Sequence, residues 1–192
     1  MNKLALTTMK IVVLDRDGVI NKDSDDYIKT PDEWIPIEGS LQAIARLNHA
    51  GYRVYIATNQ SGLGRGLFTI ETLHAIHQKM VSEIQAQGGH IEAILFCPHT
   101  PEDHCDCRKP KAGLLLEIAR RANQSLKGVP VIGDSYRDLE AAWAVEAAPI
   151  LVKTGKGELT LSKHHKALEN IPIFDNLGSA VDKLINQETV NS

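Results

Sequence analysis

The chain has no long apolar run, no large excess of charge of one sign, and few cysteines. No apolar stretch approaches the ~20 residues that a membrane-spanning helix needs. Its 24 acidic and 21 basic residues leave a net charge of −3, which does not favour nucleic acid as a partner. The first ten residues lack the apolar core and cleavage site of a signal peptide. We therefore expect a soluble cytoplasmic protein, a monomer, with neither nucleic acid nor membrane as its partner.

The few cysteines are informative through their position. Cys97, Cys105 and Cys107 fall within one eleven-residue segment. An odd number of cysteines packed this closely is a poor disulfide framework. Reduced thiols that bind a metal fit the spacing better, which favours a reducing compartment.

What the chain does have is a regular alternation of strand-like and helix-like patterns. Apolar runs typical of buried strands occupy residues 11–14, 54–57, 93–96, 129–132, 149–152 and 171–174. Apolar faces at helical spacing lie over residues 41–47, 73–84, 114–122, 139–145 and 177–185. This alternation predicts an α/β, Rossmann-like, mostly parallel sheet with helices on both faces, in a single domain over residues 1–192. Prolines in the fourth and sixth runs predict strand starts or a sheet edge.

Two aspartates follow the first strand-like run directly, in the sequence Asp15-Arg16-Asp17-Gly18. Ligands of open α/β sheets bind just outside the carboxyl ends of the strands. Two carboxylates at such a place can hold a divalent cation, or one can attack while the other moves protons. The same residues also make an ordinary turn, and on these residues alone the two interpretations are equally good.

Three further strand-like runs end in residues that suit the same chemistry. The second is followed by Thr58-Asn59-Gln60-Ser61, which offers hydroxyl and amide donors to phosphate oxygens. Arg108-Lys109 supplies cations after the third run, and Asp134 follows the fourth. Taken singly, these segments also fit plain turns or a solvated surface, and Asp138 fits a helix N-terminal residue. Together they predict a phosphoryl-transfer site in which acids hold a hard cation and a lysine neutralises phosphoryl oxygens.

In this order, Asp15-Arg16-Asp17-Gly18, Thr58-Asn59, Lys109 and Gly133-Asp134 resemble the four motifs of the haloacid dehalogenase-like phosphohydrolases. The resemblance implies that Asp15 is a nucleophile that forms an aspartyl phosphate, and that Asp17 is the acid and base of the two steps. It also implies a catalytic Mg²⁺ held by Asp15, the main-chain carbonyl of Asp17, and Asp134. Thr58 and Lys109 would stabilise the transferring phosphoryl group.

The cysteine-containing segment, residues 97–107, predicts a second metal site inserted after the third strand. Cys97, His99, Cys105 and Cys107 supply three thiolates and one imidazole, the ligand set of a closed, structural Zn²⁺ site. His104 is a rival ligand, but the spacing of the pairs favours His99. A zinc-bound loop would hold Arg108 and Lys109 over the active site. The alternative is a loop with three reduced cysteines and an exposed histidine.

The stretch from residue 21 to residue 39 has no helical periodicity and leaves no room for a cap domain. A capless core with this zinc-binding loop resembles two groups: the heptose bisphosphate phosphatases of lipopolysaccharide-precursor synthesis and the histidinol-phosphate phosphatases. Residues 21–39 and 58–66 favour the heptose group. That resemblance implies removal of the 7-phosphate of D-glycero-D-manno-heptose 1,7-bisphosphate, most naturally the β anomer. A phospho-accepting regulatory module is the alternative from another class.

Ten polar residues are predicted to bind this substrate. Cations suit its two phosphates, and acids in the loop can accept hydrogen bonds from sugar hydroxyls. Any single loop acid is explained nearly as well by a solvated acidic loop. The predicted contacts are Arg16, Asp23, Ser24, Asp25, Asp26, Asn59, Gln60, Ser61, Arg65 and Arg108.

One position departs from the family pattern. Some enteric heptose enzymes have a lysine directly after the last metal-binding aspartate, where this chain has Ser135. Lys153 or Lys156 could supply that charge, although the sequence slightly favours both as surface residues. Trp143 is predicted to lie in the core, and His77 to pack or to face solvent.

Overall fold

The protein is described by a computed structural model that covers residues 9–191 and contains a six-stranded sheet. The strands are β1 (Lys10–Leu14), β2 (Tyr52–Asn59), β3 (Ala93–Cys97), β4 (Pro130–Gly133), β5 (Ala148–Val152) and β6 (Ile173–Phe174). Their order is β3-β2-β1-β4-β5-β6, and each neighbouring pair is parallel. The predicted α/β class with a mostly parallel sheet is confirmed.

Helices connect the strands, as the βαβ pattern predicted. They are α1 (Ser40–His49), α2 (Ser61–Gly64), α3 (Ile70–Ala86), α4 (Gly113–Ala122), α5 (Tyr136–Trp143), α6 (Gly157–His164) and α7 (Leu177–Asn191). Short 3₁₀ turns add Pro31–Glu33, Pro101–Asp103 and His165–Leu168. The sequence did not predict α2, which is a single turn, or α6, which buries only Gly157 and Thr160 and so has no apolar face to detect.

Successive residues of β1 face opposite sides of the sheet. Val12 and Leu14 pack into the cluster that includes residues of α1, α3 and α7, and Ile11 and Val13 pack into the cluster that includes residues of α4 and α5. Because both faces of β1 are covered, its sequence is an uninterrupted apolar run. The burial fixes β1 at the centre of the sheet, and with it the position of the residues that follow.

Three details test the sequence predictions. Pro130 begins β4, and the run that contains Pro172 contributes β6, which is an edge strand, as the prolines predicted. The prediction for Trp143 was wrong: its side chain is 38% exposed. Helix α5 begins and ends earlier than the periodicity indicated, so Trp143 is its last residue and its ring packs edge-on against Tyr136.

Between β1 and α1 the described chain forms a loop with one 3₁₀ turn and no separate domain. The segment after β1 therefore places no cap domain over the carboxyl ends of the strands, as expected for a capless core. Among residues 9–191, none of the helices combines the length and the apolar character that crossing a bilayer requires.

Candidate active site

The carboxyl ends of β1, β2 and β4 meet at a polar pocket of about 240 Å³. Adjacent parallel strands end on the same side of the sheet, so residues far apart in the sequence become neighbours here. Asp15, Asp17, Thr58, Lys109 and Asp134 all line this pocket. The structure thus brings the four motifs together in one place.

Lys109 is the buried cation of this pocket, with 5% of its surface exposed. Its Nζ lies 2.9 Å from Asp15 Oδ1 and 2.5 Å from Asp138 Oδ1, and it donates to the carbonyl of Ala57 at 2.8 Å. Burial by itself would lower the pKa of Lys109, but the two carboxylates hold that pKa above its ordinary value. Lys109 is therefore a fixed positive charge beside Asp15.

Asp138 is the residue of this site that sequence reasoning assigned to a helix terminus. It lies in the first turn of α5 and is 2% exposed. Its Oδ2 accepts hydrogen bonds from the hydroxyl and the N–H of Ser135, at 2.6 and 3.0 Å. Burial would raise the pKa of Asp138, but Lys109 lowers it below its usual range. An acid one helical turn after Asp134 was the signal that could have identified it.

Asp15, Asp134 and Asp138, here called the carboxylate cluster, offer oxygens that lie within 4.8 Å of one another. Burial is the main cause that raises the pKa of Asp15 to about 7 and that of Asp134 to about 8, and repulsion between the carboxylates adds to it. Raised pKa values in a group of acids indicate a deficit of positive charge, which a divalent cation would supply. Carboxylate oxygens are the ligands that Mg²⁺ prefers, so the residues fit this ion.

The carboxylate of Asp17 is held by a separate network. Arg16 Nη2 lies 2.9 Å from both of its oxygens, Gln60 Nε2 donates to it at 2.8 Å, and Asn21 Nδ2 at 2.9 Å. Burial alone would raise the pKa of Asp17, but Arg16 and these hydrogen bonds lower it below its usual range. Asp17 is therefore ionised when no substrate is bound.

Arg16 was predicted to contact the substrate, and its placement favours a different role. The side chain is 1% exposed, and its guanidinium also donates to Gln60 Oε1 at 3.1 Å and lies 3.2 Å from His77 Nε2. Burial, and then the charge of Arg16, lower the pKa of His77 to about 3, so its neutral ring can accept this hydrogen bond. The hydrogen bonds of the Arg16 guanidinium are thus made inside the protein, where they orient Asp17.

The residues after β2 belong to the same framework. The hydroxyl of Thr58 accepts from Gln60 Nε2 at 2.9 Å. Asn59 accepts from the main-chain N–H of Lys109 and donates to its carbonyl, each at 3.1 Å. Asn59 was predicted to bind substrate, but its amide is bonded to the main chain of Lys109 and so positions that residue.

Cys97, His99, Cys105 and Cys107 form a second compact group, here called the Cys/His cluster. The Sγ atom of Cys107 lies 3.1 Å from that of Cys97, 3.5 Å from that of Cys105, and 3.3 Å from His99 Nδ1. Ligands bound at about 2.3 Å around a tetrahedral metal stand about 3.7 Å apart, close to these separations. His104 lies outside the group, so the structure favours the ligand set with His99.

Comparison with known proteins decides the family. A family model described as polynucleotide kinase 3 phosphatase matches residues 10–136, and one described as HAD-hydrolase-like matches residues 106–180. The D-glycero-beta-D-manno-heptose-1,7-bisphosphate 7-phosphatase of Pseudomonas putida is 53% identical over 177 residues, which are 92% of this chain and 100% of that relative. This chain belongs to the heptose-bisphosphate 7-phosphatase family.

Solved structures of this family agree. The crystal structure of D,D-heptose 1,7-bisphosphate phosphatase from B. bronchiseptica, complexed with magnesium and phosphate, aligns with a TM-score of 0.91 at 50% identity, over 93% of this chain and 99% of that one. The enzyme from Burkholderia thailandensis aligns with a TM-score of 0.70 at 44% identity, over 92% of this chain and 98% of that one. The predicted superfamily, the phosphatase class and the heptose group are confirmed.

The loop after β1 forms part of the pocket wall. Arg16 and Asn59 line the pocket, and so do six of the other eight predicted substrate contacts. The six are Asp23, Ser24, Asp25, Gln60, Ser61 and Arg108.

Asp26 and Arg65 are the two predicted contacts that do not line the pocket. Asp26 is exposed in a turn whose carbonyl accepts from Lys29 Nζ at 2.8 Å. Arg65 ends the single turn of α2, and its guanidinium lies 3.9 Å from Glu102. Neither residue is among those that line the pocket, and their contact with substrate stays a prediction.

Two further cations line the pocket: Arg137, which the sequence did not assign, and Lys156, which it considered as a replacement for the charge absent at Ser135. The sequence slightly favoured Lys156 as a surface residue. Its side chain is 42% exposed at the edge of the pocket, and its main-chain N–H donates to Asp134 Oδ2 at 2.7 Å. The side chain of Lys153 is 36% exposed and pairs with Asp175 at 3.0 Å, away from the pocket residues. Both lysines follow β5, and only the three-dimensional fold distinguishes them.

Proposed function

We propose that the protein is a Mg²⁺-dependent phosphatase that removes the 7-phosphate of D-glycero-β-D-manno-heptose 1,7-bisphosphate. The observation that carries the proposal is its full-length similarity to a magnesium- and phosphate-bound enzyme named for this substrate. The product would enter ADP-heptose and lipopolysaccharide-precursor synthesis in the cytoplasm. A reducing compartment suits the free thiols of the Cys/His cluster.

In the first chemical step, a carboxylate oxygen of Asp15 attacks the phosphorus. The new oxygen–phosphorus bond forms as the bond to the sugar oxygen breaks, which leaves an aspartyl phosphate. Asp17 donates a proton to the departing sugar oxygen. A phosphate dianion beside Asp17 raises the pKa of that carboxyl and offsets the effect of Arg16, so that Asp17 can carry the proton. Thr58 and Lys109 stabilise the charge on the transferring oxygens.

In the second step, Asp17 acts as the base. Its carboxylate takes a proton from a water molecule, whose oxygen attacks the phosphorus and displaces the Asp15 carboxylate. Inorganic phosphate leaves, Asp15 is regenerated as a carboxylate and Asp17 as an acid. The bonds from Arg16 and Gln60 keep Asp17 in one orientation for both proton transfers.

The residues proposed to hold Mg²⁺ are Asp15, Asp134 and the main-chain carbonyl of Asp17. The ion supplies charge stabilisation to the phosphoryl oxygens. Asp138 belongs to the carboxylate cluster, but it already pairs with Lys109 and accepts from Ser135. We therefore assign Asp138 to the positioning of Lys109.

The Cys/His cluster is proposed to hold a structural Zn²⁺. All four coordination positions come from protein side chains, which leaves no open position for substrate or water. Arg108, which follows Cys107, donates to the carbonyl of His99 at 3.2 Å, and Lys109 comes next in the chain. A metal in this cluster would thus fix the loop that presents both cations to the pocket.

A bisphosphate places a second dianion near the mouth of the pocket. Lys109 is buried beside Asp15, whereas Arg108 is half-buried and Arg137 is exposed at the rim of the same pocket. Guanidinium groups bind phosphate through paired hydrogen bonds. We propose that the 7-phosphate reaches Lys109 and that the 1-phosphate lies near the two arginines.

A panel of phosphate esters tests the proposed function. It contains the β and α anomers of heptose 1,7-bisphosphate, fructose 1,6-bisphosphate and histidinol phosphate, compared by kcat/KM. We expect the β anomer to exceed each of the others by at least about tenfold. A preference for histidinol phosphate would overturn the substrate, and a long-lived phosphoprotein without phosphate release would indicate a regulatory module.

A further inference from the structure

The segment Thr154-Gly155-Lys156, after β5, contacts the active site through one side-chain and one main-chain hydrogen bond. The hydroxyl of Thr154 donates to the carbonyl of Gly18 at 2.6 Å, and the N–H of Lys156 donates to Asp134 Oδ2 at 2.7 Å. Gly155 and Gly18 both have positive φ, and a Cβ on either one would overlap the carboxylate of Asp134. The segment is therefore packed against the two loops that carry the aspartates of the first and fourth motifs.

The side chain of Lys156 reaches in the other direction, to the loop after β1. Its Nζ lies 3.2 Å from Asp23 Oδ2 and 3.3 Å from Asp25 Oδ1. Asp23 is 21% exposed, whereas Asp25 is 94% exposed. Fully solvated ion pairs contribute little, so the pair with Asp23 is the one that restrains the loop.

The charge of Lys156 also matters for an anionic ligand. Asp23 lies close enough to Asp134 to contribute to its raised pKa, although burial is the main cause. Without the ammonium group, Asp23 and Asp25 would present two uncompensated negative charges to a phosphorylated sugar at the mouth of the pocket. Like charges placed opposite a ligand weaken its binding.

We propose that Lys156 is a positioning residue that sets substrate specificity, because it holds the Asp23–Asp25 loop against the pocket while its main chain holds Asp134. This inference rests on the proposed function in taking a sugar phosphate as the substrate. The side chain of Lys156 acts on the recognition of the sugar and leaves the bond-breaking residues in place.

The variant Lys156→Met removes the charge but keeps the N–H that binds Asp134. We expect KM for the heptose bisphosphate to rise about tenfold and kcat to change less than about threefold. For p-nitrophenyl phosphate, which has no sugar for the loop to contact, KM should change less than about twofold.

Lys153→Met is the matched control. It removes the same charge from the same segment, but Lys153 pairs with Asp175 instead of the loop. Its KM values should equal those of the parent. Lys156→Arg keeps a cation within reach of Asp23, so its KM for the heptose bisphosphate should stay close to that of the parent. If Lys156 acts through Asp23, the double variant Lys156→Met, Asp23→Asn should have a KM for the heptose bisphosphate no higher than that of Lys156→Met alone.

A measurement without turnover separates this inference from the proposed function. Amide hydrogen exchange over residues 21–28 should be faster in Lys156→Met than in the parent, and unchanged in Lys153→Met. If the parent hydrolyses no heptose bisphosphate, the proposed function fails while exchange still decides whether Lys156 holds the loop. Unchanged exchange in Lys156→Met, or an equal rise in KM on both substrates, would overturn the inference.

Discussion

The carboxylate cluster and the Cys/His cluster are built in opposite ways. The first draws Asp15 from the end of β1 and Asp134 and Asp138 from the junction of β4 and α5, all on a sheet with a packed core. The second draws every ligand from residues 97–107, where only Cys97 is fully buried. The fold places the carboxylates, whereas the proposed Zn²⁺ would be what holds the thiols of a short, partly exposed loop together.

The difference separates two effects of metal loss. Removal of Mg²⁺ from a preformed site should stop the reaction and leave the fold intact. Removal of Zn²⁺ should release the loop that carries Arg108 and Lys109, and so disturb the same pocket indirectly. Three experiments test this contrast, from the largest expected effect to the smallest.

The substitution Asp15→Asn should lower kcat by more than about 10³-fold, because a neutral amide oxygen is a poor nucleophile. The melting temperature should stay the same or rise, since burial already disfavours the charged form of Asp15. Phosphate release and a thermal melt measure the two effects. An active, folded Asp15→Asn protein would refute the assignment of the nucleophile.

The substitution Cys107→Ser should remove bound zinc and lower activity by about 10- to 100-fold, with the sheet still folded. The physical reason is the loss of one ligand from a site that has no redundant donor. Metal analysis, circular dichroism and phosphate release give the three readouts. His104→Ala is the control, because His104 lies outside the cluster. Equal zinc contents in the two variants would contradict the proposed ligand set.

The affinity of the carboxylate cluster for Mg²⁺ should rise at least about tenfold between pH 6 and pH 8. The pKa values of Asp15 and Asp134 are raised to about 7 and about 8, so protons compete with the ion below these values and are released as it binds. Calorimetry without substrate measures this dependence. Asp15→Asn, which lacks one of the two titrating groups, should show a shallower rise, and a pH-independent affinity would contradict the raised pKa values.

The sequence predicted those parts of the site that follow from strand ends. The apolar run of β1 identifies a strand buried on both faces, and Asp15 and Asp17 must then lie at the edge where ligands bind. The four thiol and imidazole ligands are close in sequence, so their convergence needed no knowledge of the fold.

The remaining residues of the site are placed by contacts between segments that are distant in the sequence. Lys153 and Lys156 look alike in sequence, and only the approach of the β5 loop to Asp23 distinguishes them. Arg65 follows a donor-rich segment that faces the pocket, but one turn of helix rotates its side chain toward Glu102. In the sequence, Asp138 resembles an ordinary acid in the first turn of a helix, and only its contact with Lys109 in the fold identifies it as part of the site.

The order of the strands also determines when the residues of the pocket come together during synthesis of the chain. Asp15 leaves the ribosome early, yet β1 is completed on one side by β2 and on the other by β4. Pairing between segments this distant is slow to form, because the chain between them must first be ordered. A nascent chain that ends before β4 therefore carries Asp15 without Asp134 and Asp138, so the carboxylate cluster can form only after β4 has been made.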